Sequence, residues 1–164
     1  MRIDIRPANS SDIEQISGIV DACWTSCFSG FLPQPVMERF TGEHRRAEFS
    51  RQLSYGAAIY VLLVDGVITA VCAGKACGKN PFAEHFEIVQ LYVAPEKQGR
   101  GYGKKLLMHT LRQARRSGLA YAALETAAEN RSARAFYQRF GFEEQKNAAR
   151  TVDGVEYVTY RIDF

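Results

Sequence analysis

The sequence lacks the features that mark several large classes of protein. No apolar run reaches about 18 residues, the length that a membrane-spanning helix needs, so no membrane association is expected. The formal net charge is only +3, which is too small to indicate nucleic-acid binding by itself. The first residues alternate polar and apolar and carry acid, unlike a secretion signal. We therefore expect a cytoplasmic protein.

Cysteine and histidine are scarce, and neither has the spacing of metal ligands. The cysteines are Cys23, Cys27, Cys72 and Cys77, with no Cys-x-x-Cys pair among them, and the three histidines lie elsewhere in the sequence. Structural zinc ligands usually come in closely spaced pairs. We predict no metal site and four reduced thiols, as is usual in the cytosol.

The apolar content is sufficient for a folded core. Hydrophobic residues make up 46% of the 164 positions, and aromatic residues are spread along the whole length. A disordered chain would be poorer in both. We see no repeat, linker or low-complexity tract, so residues 1–164 are expected to form a single domain.

Periodicity and turn signals predict the element order β-α-α-β-β-β-α-β-α-β-β. The first half should contain a strand at 2–6, a helix with a Ser11–Glu14 capping box, a second helix from Pro33 or Pro35 toward Leu53, and strands 57–64 and 67–75 joined by Asp65-Gly66. The second half should contain a strand at 85–93, a helix at 102–116, a strand at 120–126, a helix from Asn130 to Phe140, and strands 142–149 and 155–162 around Asp153-Gly154. This order predicts a mixed-sheet α/β (α+β) fold covered by helices.

The segment Gln98-Gly-Arg-Gly-Tyr-Gly-Lys104 follows a predicted strand and opens a predicted helix. Glycines let the backbone approach a ligand, and a helix start presents free N–H groups to an anion. Arg100, Lys104 and Lys105 add positive charge, so a diphosphate is the natural guest. The spacing matches neither the Gly-x-Gly-x-x-Gly dinucleotide motif nor the P-loop. A tight turn with a capped helix and no ligand is the alternative.

Two segments together resemble one known family. Gln98-x-x-Gly101-x-Gly103, after the strand 87–93, resembles the coenzyme A motif of the GNAT superfamily of N-acyltransferases. Asn130-Arg-Ser-Ala-Arg-Ala-Phe-Tyr137, continuing to Phe142, resembles the next motif of that family. The resemblance covers nearly the whole chain. It implies a mixed, mostly antiparallel sheet that is splayed at its middle strands and has helices on both faces.

The resemblance also implies a cofactor and the residues that bind it. The expected activity is transfer of an acetyl group from acetyl-CoA to a primary amine, by direct attack in a ternary complex. Backbone groups of Leu91, Tyr92 and Val93 would contact pantetheine, with the N–H of Leu91 or Tyr92 as an oxyanion donor. The pyrophosphate would be held by Gln98, Gly99, Arg100, Gly101, Gly103 and Lys104. Asn130 and the helix that it caps, with Ala133 and Tyr137, would lie beside pantetheine.

Three residues are candidates for the proton transfers. Tyr137 matches the family tyrosine that acts as general acid, although a core tyrosine is the alternative. Glu87 stands where one branch of the family keeps its catalytic glutamate, and Phe86 and Ile88 beside it could desolvate its carboxylate and raise its pKa. A solvated strand glutamate is the other interpretation. Glu125 is an alternative base, and many members use a water relay with no dedicated base.

The acceptor side is less specific. Trp24, Phe28 and Phe31 are candidates for the substrate pocket, although aromatic residues at helical spacing often belong to a core. Arg45, Arg46 and Arg51 are interpreted as a solvated face. Family members often dimerise, so a homodimer is one state that the resemblance allows. Two other functions remain open: a coenzyme A-binding regulatory or interaction module without turnover, and a nucleotide-binding protein of another class.

Overall fold

The structure is a computed structural model that describes residues 1–78 and 84–164. Contacts divide the chain into two compact units. The first unit contains Met1–Gly74 and Gln90–Thr110, and the second contains Lys75–Val89 and Leu111–Phe164.

In the part of the chain that the structure describes, the fold has eight strands and five α-helices. The strands are β1 (Ile3–Pro7), β2 (Ala58–Val64), β3 (Val67–Cys77), β4 (His85–Val93), β5 (Tyr121–Ala127), β6 (Glu143–Glu144), β7 (Arg150–Val152) and β8 (Val155–Asp163). The helices are α1 (Ile13–Cys23), α2 (Gln34–Arg39), α3 (Glu43–Ser54), α4 (Tyr102–Arg116) and α5 (Arg131–Phe140). A π-helical turn, Trp24–Phe28, continues α1.

The strands form a sheet with the order β1-β2-β3-β4-β5-β8-β6, and β7 pairs with β8 off this path. The pairs β1–β2, β2–β3, β5–β8, β6–β8 and β7–β8 are antiparallel. The pair β4–β5 is parallel and joins His85–Ile88 to Tyr121–Leu124. A mixed α/β fold with a mostly antiparallel sheet is therefore confirmed.

The core of the first unit follows from the periodicity of its elements. Ile16 and Val20, one helical turn apart on α1, are fully buried. They pack with Phe49 of α3 and with the inward residues of β2 and β3, such as Val61 and Val71. Each such side chain contributes about 1.5–3 kcal/mol by leaving water. This core supports α1 and the chain that follows it.

The second unit buries alternate residues of its strands. Ala122 and Leu124 of β5 are buried, as are Val158 and Tyr160 of β8. The ring of Tyr137 on α5 lies 6.3 Å from the ring of Tyr160. Because side chains alternate across a sheet, residues 123 and 125 of β5 and 157 and 159 of β8 belong to the opposite face.

Three local predictions were wrong. The capping box uses Asn9 and Asp12 instead of Ser11 and Glu14. The Asn9 side chain accepts from a backbone N–H of the turn, and the Asp12 side chain accepts from the backbone N–H of Asn9. Arg6 also donates to the Asp12 carboxylate, at 2.7 Å. The single helix predicted toward Leu53 is two helices, α2 and α3, separated at Gly42, whose φ is +58°. The strand predicted at 142–149 is only the two residues of β6, and β7 begins at Arg150.

Candidate active site

The glycine turn, residues 98–104, joins the end of β4 to the start of α4 in the first unit. Gly99 and Gly101 have φ values of +74° and +79°. L-residues with a side chain rarely adopt this region, whereas glycine adopts it freely. A Cβ on either residue would meet no atom within 4 Å. Glycine is therefore required by the backbone conformation and not by a lack of space.

The glycine turn leaves a run of backbone donors without protein acceptors. The N–H of Gln98 donates to Pro95 O at 3.3 Å, and the N–H of Lys105 donates to Gly101 O at 3.1 Å. Within the described residues, none of the N–H groups from Gly99 to Lys104 has a protein acceptor. Free N–H groups at a helix start, preceded by residues of positive φ, form a concave anion site.

Charge around the glycine turn also favours an anion. The side chains of Arg100, Lys104 and Lys105 are exposed. The positive end of the α4 dipole lies at the same place. Gly103 lies inside the first turn of α4 and is half-buried. The predicted diphosphate residues of the glycine turn are thus brought together by one turn and one helix start.

The side chain of Gln98 contacts the end of β4 and the end of α1. Its Nε2 donates to Val93 O at 3.1 Å and lies 3.9 Å from Cys23 Sγ. The thiol of Cys23 donates to the same carbonyl at 3.1 Å. The Gln98 amide therefore holds the glycine turn against the end of β4.

The predicted pantetheine residues are the last three of β4, and all are half-buried. The hydroxyl of Tyr92 accepts a hydrogen bond from Trp24 Nε1 at 3.0 Å. The next N–H, that of Ala94, donates to Thr69 O of β3 at 2.9 Å. These contacts hold the end of β4, with Leu91 and Val93, in place before the glycine turn.

The three predicted pocket residues lie together in the first unit. Phe28 is central, with its ring 5.3 Å from Trp24, 5.5 Å from Phe31 and 6.3 Å from Tyr92. Phe40 of α2 joins them at 5.7 Å from Trp24. We call Trp24, Phe28, Phe31, Phe40 and Tyr92 the aromatic cluster. All five side chains are half-buried, so the cluster keeps a surface open to solvent.

Arg45 differs from the sequence-based expectation of a solvated face. Its side chain is only 5% exposed, and its guanidinium lies 4.8 Å from the centre of the Trp24 ring. Nε donates to Asp21 Oδ1 at 3.2 Å, and Asp21 also accepts from the N–H of Gly42. A cation over an aromatic face is attracted to it. Arg45 thus holds the Trp24 ring from the α3 side.

Glu87 lies on β4 in the second unit, in charged surroundings. Its side chain is 43% exposed, and its carboxylate lies 3.5 Å from Lys75 Nζ. Cys77 Sγ donates to it at 3.4 Å. Phe86 and Ile88 are buried, but neighbours along a strand point to opposite faces, so they do not desolvate Glu87. Of the two interpretations of Glu87, this setting fits the solvated strand glutamate.

Glu125 on β5 is held by a bidentate ion pair. Arg150 of β7 donates to both of its carboxylate oxygens, at 2.6 to 3.0 Å. The pKa of Arg150 is raised, first by these hydrogen bonds and more weakly by the charge of Glu87. We call Lys75, Glu87, Glu125 and Arg150 the carboxylate cluster. Both candidate bases therefore have cationic partners within the second unit.

Asn130, Ala133 and Tyr137 lie in and beside α5. The side chain of Asn130 accepts from the N–H of Ala133 at 3.1 Å, as an N-cap does. Tyr137 is 8% exposed, with its ring 5.6 Å from Phe142 and 6.3 Å from Tyr160. This aromatic packing fixes the orientation of the phenol.

A family model for acetyltransferases of the GNAT type matches residues 21–142, which span both candidate motifs. The chain belongs to the acetyltransferase (GNAT) family. It is also similar to an uncharacterized N-acetyltransferase of Methanocaldococcus jannaschii, with 37% identity over 60 residues. That match covers 37% of this chain and only 26%, about a quarter, of the relative's length.

Solved GNAT-like structures share the fold over the whole chain. One is the PaiA N-acetyltransferase of Thermoplasma acidophilum in complex with coenzyme A, with 19% identity, full coverage of both chains and a TM-score of 0.80. Another is YncA of Salmonella typhimurium, an acetyltransferase crystallised with acetyl-CoA. It has 21% identity, covers 98% of this chain and 93% of its own, and gives a TM-score of 0.75.

Three residues of this GNAT chain that contact the candidate groups were missed by sequence reasoning. They are Cys23, Arg45 and Arg150, which contact Val93, Trp24 and Glu125 respectively. Cysteine at the end of α1 and arginine on a polar helix resemble ordinary packing and surface residues. Only the Asp153-Gly154 turn signal indicated that Arg150 would fold back along β8.

In residues 1–78 and 84–164, no group of three or more His, Cys, Asp or Glu side chains could hold a metal ion. None of the helices in those ranges is both long and apolar enough to cross a membrane.

Proposed function

We propose that this chain transfers an acetyl group from acetyl-CoA to a primary amine, on a small molecule or a peptide, by direct attack in a ternary complex. Residues 1–164 would form one such domain, acting in the cytoplasm on an acceptor that is neither nucleic acid nor membrane. A homodimer is compatible with the proposal. The GNAT membership supports the class of reaction.

The glycine turn is the observation that carries the proposal. Its N–H groups from Gly99 to Lys104 lack protein acceptors in the described chain, and three cations stand beside it. A pyrophosphate supplies the acceptor oxygens and the negative charge that this arrangement favours. The residues present therefore fit coenzyme A, and two solved structures of the same fold contain coenzyme A or acetyl-CoA.

The acceptor must lose a proton before it can attack. An alkyl amine has a pKa of roughly 10, so it is charged at neutral pH. Glu87 and Glu125 are the candidate bases, and each would have to exchange its cation, Lys75 or Arg150, for the incoming ammonium. An exposed carboxylate can also pass the proton to water, so a relay without a dedicated base suits the carboxylate cluster.

The leaving thiolate must gain a proton. We assign this step to Tyr137, whose phenol is held by the rings of Phe142 and Tyr160. A fixed phenol can donate its proton to the sulfur without reorganisation. The tetrahedral intermediate formed before departure carries an oxyanion, and the backbone N–H of Leu91 or Tyr92 is our candidate donor. The acceptor body would pack on Trp24, Phe28 and Phe31.

The test measures binding and turnover separately. Calorimetry should show coenzyme A binding, and acetyl-CoA with a panel of amines should release free thiol. Tyr137→Phe should lower kcat by roughly 100-fold, the usual contribution of a general acid, and leave the coenzyme A Kd nearly unchanged. Tyr121→Phe is the control, because Tyr121 is a half-buried tyrosine of the second unit and has no assigned role.

No binding of coenzyme A in calorimetry would contradict the proposal as a whole. Equal turnover by Tyr137→Phe and the wild type would remove only the assignment of the acid.

A second candidate is a coenzyme A-binding module without turnover. The ion pairs of Glu87 and Glu125 favour it, because a carboxylate engaged by lysine or arginine is a poorer base. Thiol release with any amine of the panel would exclude it. Tight coenzyme A binding with no release by any amine would support it.

A further inference from the structure

Two consecutive residues tie the end of α1 to the end of β4 in the first unit. The thiol of Cys23 donates to Val93 O at 3.1 Å, and the indole of Trp24 donates to the hydroxyl of Tyr92 at 3.0 Å. The amide of Gln98 donates to the same Val93 carbonyl at 3.1 Å. One carbonyl therefore receives a donor from the glycine turn and a donor from the chain that leads into the aromatic cluster.

The Cys23 thiol is a permanent donor in this arrangement. The residue is only 2% exposed, and burial raises the pKa of the thiol to about 12. It therefore keeps its proton at neutral pH and does not become a thiolate that would repel the carbonyl. Because the side chain of Cys23 is short, its thiol reaches Val93 O only while the end of α1 stays close to the end of β4.

The residue after Cys23 begins an irregular segment. Trp24–Phe28 forms a π-helical turn, and such turns are rare and occur often at functional sites. Trp24 and Phe28 belong to the aromatic cluster, and the guanidinium of Arg45 lies over the Trp24 ring. A shift of Cys23 would be transmitted to Trp24, because the two residues share a peptide bond and each is anchored to β4.

We propose that Cys23 and Gln98 are positioning residues that couple the glycine turn to the aromatic cluster through the carbonyl of Val93. The inference rests on the proposed function, in which the glycine turn holds coenzyme A and the aromatic cluster receives the acceptor. Coenzyme A bound in the glycine turn would hold Gln98 in place, and the Gln98 amide would hold the Val93 carbonyl. Cys23, which donates to the same carbonyl, would then hold the adjacent Trp24 in place. Coupling of this kind is reciprocal, so the factor by which the cofactor changes acceptor affinity equals the factor by which the acceptor changes cofactor affinity.

The chain contains its own reporter for this coupling, because Trp24 is its single tryptophan. The experiment titrates coenzyme A into the intact protein while tryptophan emission is recorded, with calorimetry on the same samples. In the wild type, emission should change along the binding curve that calorimetry gives. At saturating coenzyme A, Gln98→Leu and Cys23→Ala should each retain less than half of the wild-type change in emission.

Two further variants separate coupling from general damage. Cys23→Ser keeps a hydroxyl donor and should restore most of the emission change. Cys27→Ala alters the exposed cysteine of the same segment, which does not contact Val93 in the described residues, and should keep all of it. Gln98 is exposed, so Gln98→Leu should not threaten folding.

The alternative outcomes are distinct. Full emission changes in Gln98→Leu and Cys23→Ala at saturation would overturn the inference, since Trp24 would then sense the ligand without these residues. A silent wild type that binds coenzyme A in calorimetry would overturn it too and leave the proposed function standing. A wild type that does not bind coenzyme A would contradict both.

Discussion

In the glycine turn the N–H groups from Gly99 to Lys104 have no acceptor among the described residues, whereas in the carboxylate cluster Glu87 and Glu125 each have a cationic partner. Both regions carry exposed polar groups from residues that the sequence marked as functional. They differ in whether the protein itself satisfies those groups.

This difference bears on how each region could bind. A ligand of the glycine turn gains hydrogen bonds that no protein group must give up, so its affinity should depend on the backbone conformation. A cationic acceptor at the carboxylate cluster must displace Lys75 or Arg150, so its affinity is the difference between two similar ion pairs. Acetyl-CoA should therefore bind more tightly than the amine that receives the acetyl group.

The largest effect is expected in the glycine turn. Replacing both Gly99 and Gly101 by alanine should weaken coenzyme A binding roughly 100-fold, because a side chain disfavours positive φ by about 1–2 kcal/mol per residue. The chain would relax toward negative φ and turn its N–H groups away from one another. Calorimetry with coenzyme A measures the loss.

Gly30→Ala is the control for this prediction. Gly30 is exposed, has no positive φ and has open space around its Cβ position, so coenzyme A should bind this variant as it binds the wild type. An unchanged Kd in the double alanine variant would mean that the N–H groups of the glycine turn do not form the phosphate site.

A smaller effect is expected at Arg150. Arg150→Met releases the Glu125 carboxylate, so the KM of an accepted amine should fall by about fivefold, the order of one exposed ion pair. The KM of acetyl-CoA should not change. Initial rates with each substrate varied in turn separate the two.

Arg161→Met is a fair control, because Arg161 is also an arginine of the second unit and forms its ion pair with Asp163, at 2.7 Å. A rise in amine KM for Arg150→Met would reverse the interpretation, since Arg150 would then contact the acceptor directly.

The smallest effect concerns Cys77. Burial, the hydrogen bond to Glu87 and the charge of Glu87 raise the pKa of its thiol. A carboxylate disfavours the thiolate, so Glu87→Gln should lower that pKa and increase the thiolate fraction at pH 8. Alkylation of Cys77 should become about threefold faster.

The measurement uses a Cys27→Ser background, because Cys27 is exposed and would react as well. Glu84→Gln is a matched change, since Glu84 is another glutamate of the second unit and its backbone N–H, which the substitution keeps, donates to Cys77 O at 2.8 Å. Equal alkylation rates with and without Glu87 would show that this carboxylate does not face Cys77 in solution.

Much of the fold could be predicted, because its strongest signals are local. Asp65-Gly66 predicted a hairpin, and both residues have positive φ, as a tight two-residue turn requires. The bounds of β4 and α4 were predicted to the residue, since an apolar run and a helical period end there at Pro95 and Gly118.

The site was less predictable, because its side-chain partners come from distant parts of the chain. The π-helical turn at Trp24–Phe28 has the apolar spacing of an ordinary helix, so periodicity could not reveal it. Burial of Arg45 depends on Asp21 and Trp24, which lie 24 and 21 positions away. The environment of Glu87 depends on Lys75 and not on its chain neighbours, which the alternation of a strand turns to the other face.

The short strands beside β8 also bear on assembly. Of the nine residues of β8, two pair with β6 and three with β7, so five are already bonded on the side away from β5. A second copy that tried to extend the sheet at this edge would have to strip away those strands first. Backbone pairing of a second copy with β8 itself is thus obstructed at those five residues, and a partner that meets this edge meets β6 and β7 first.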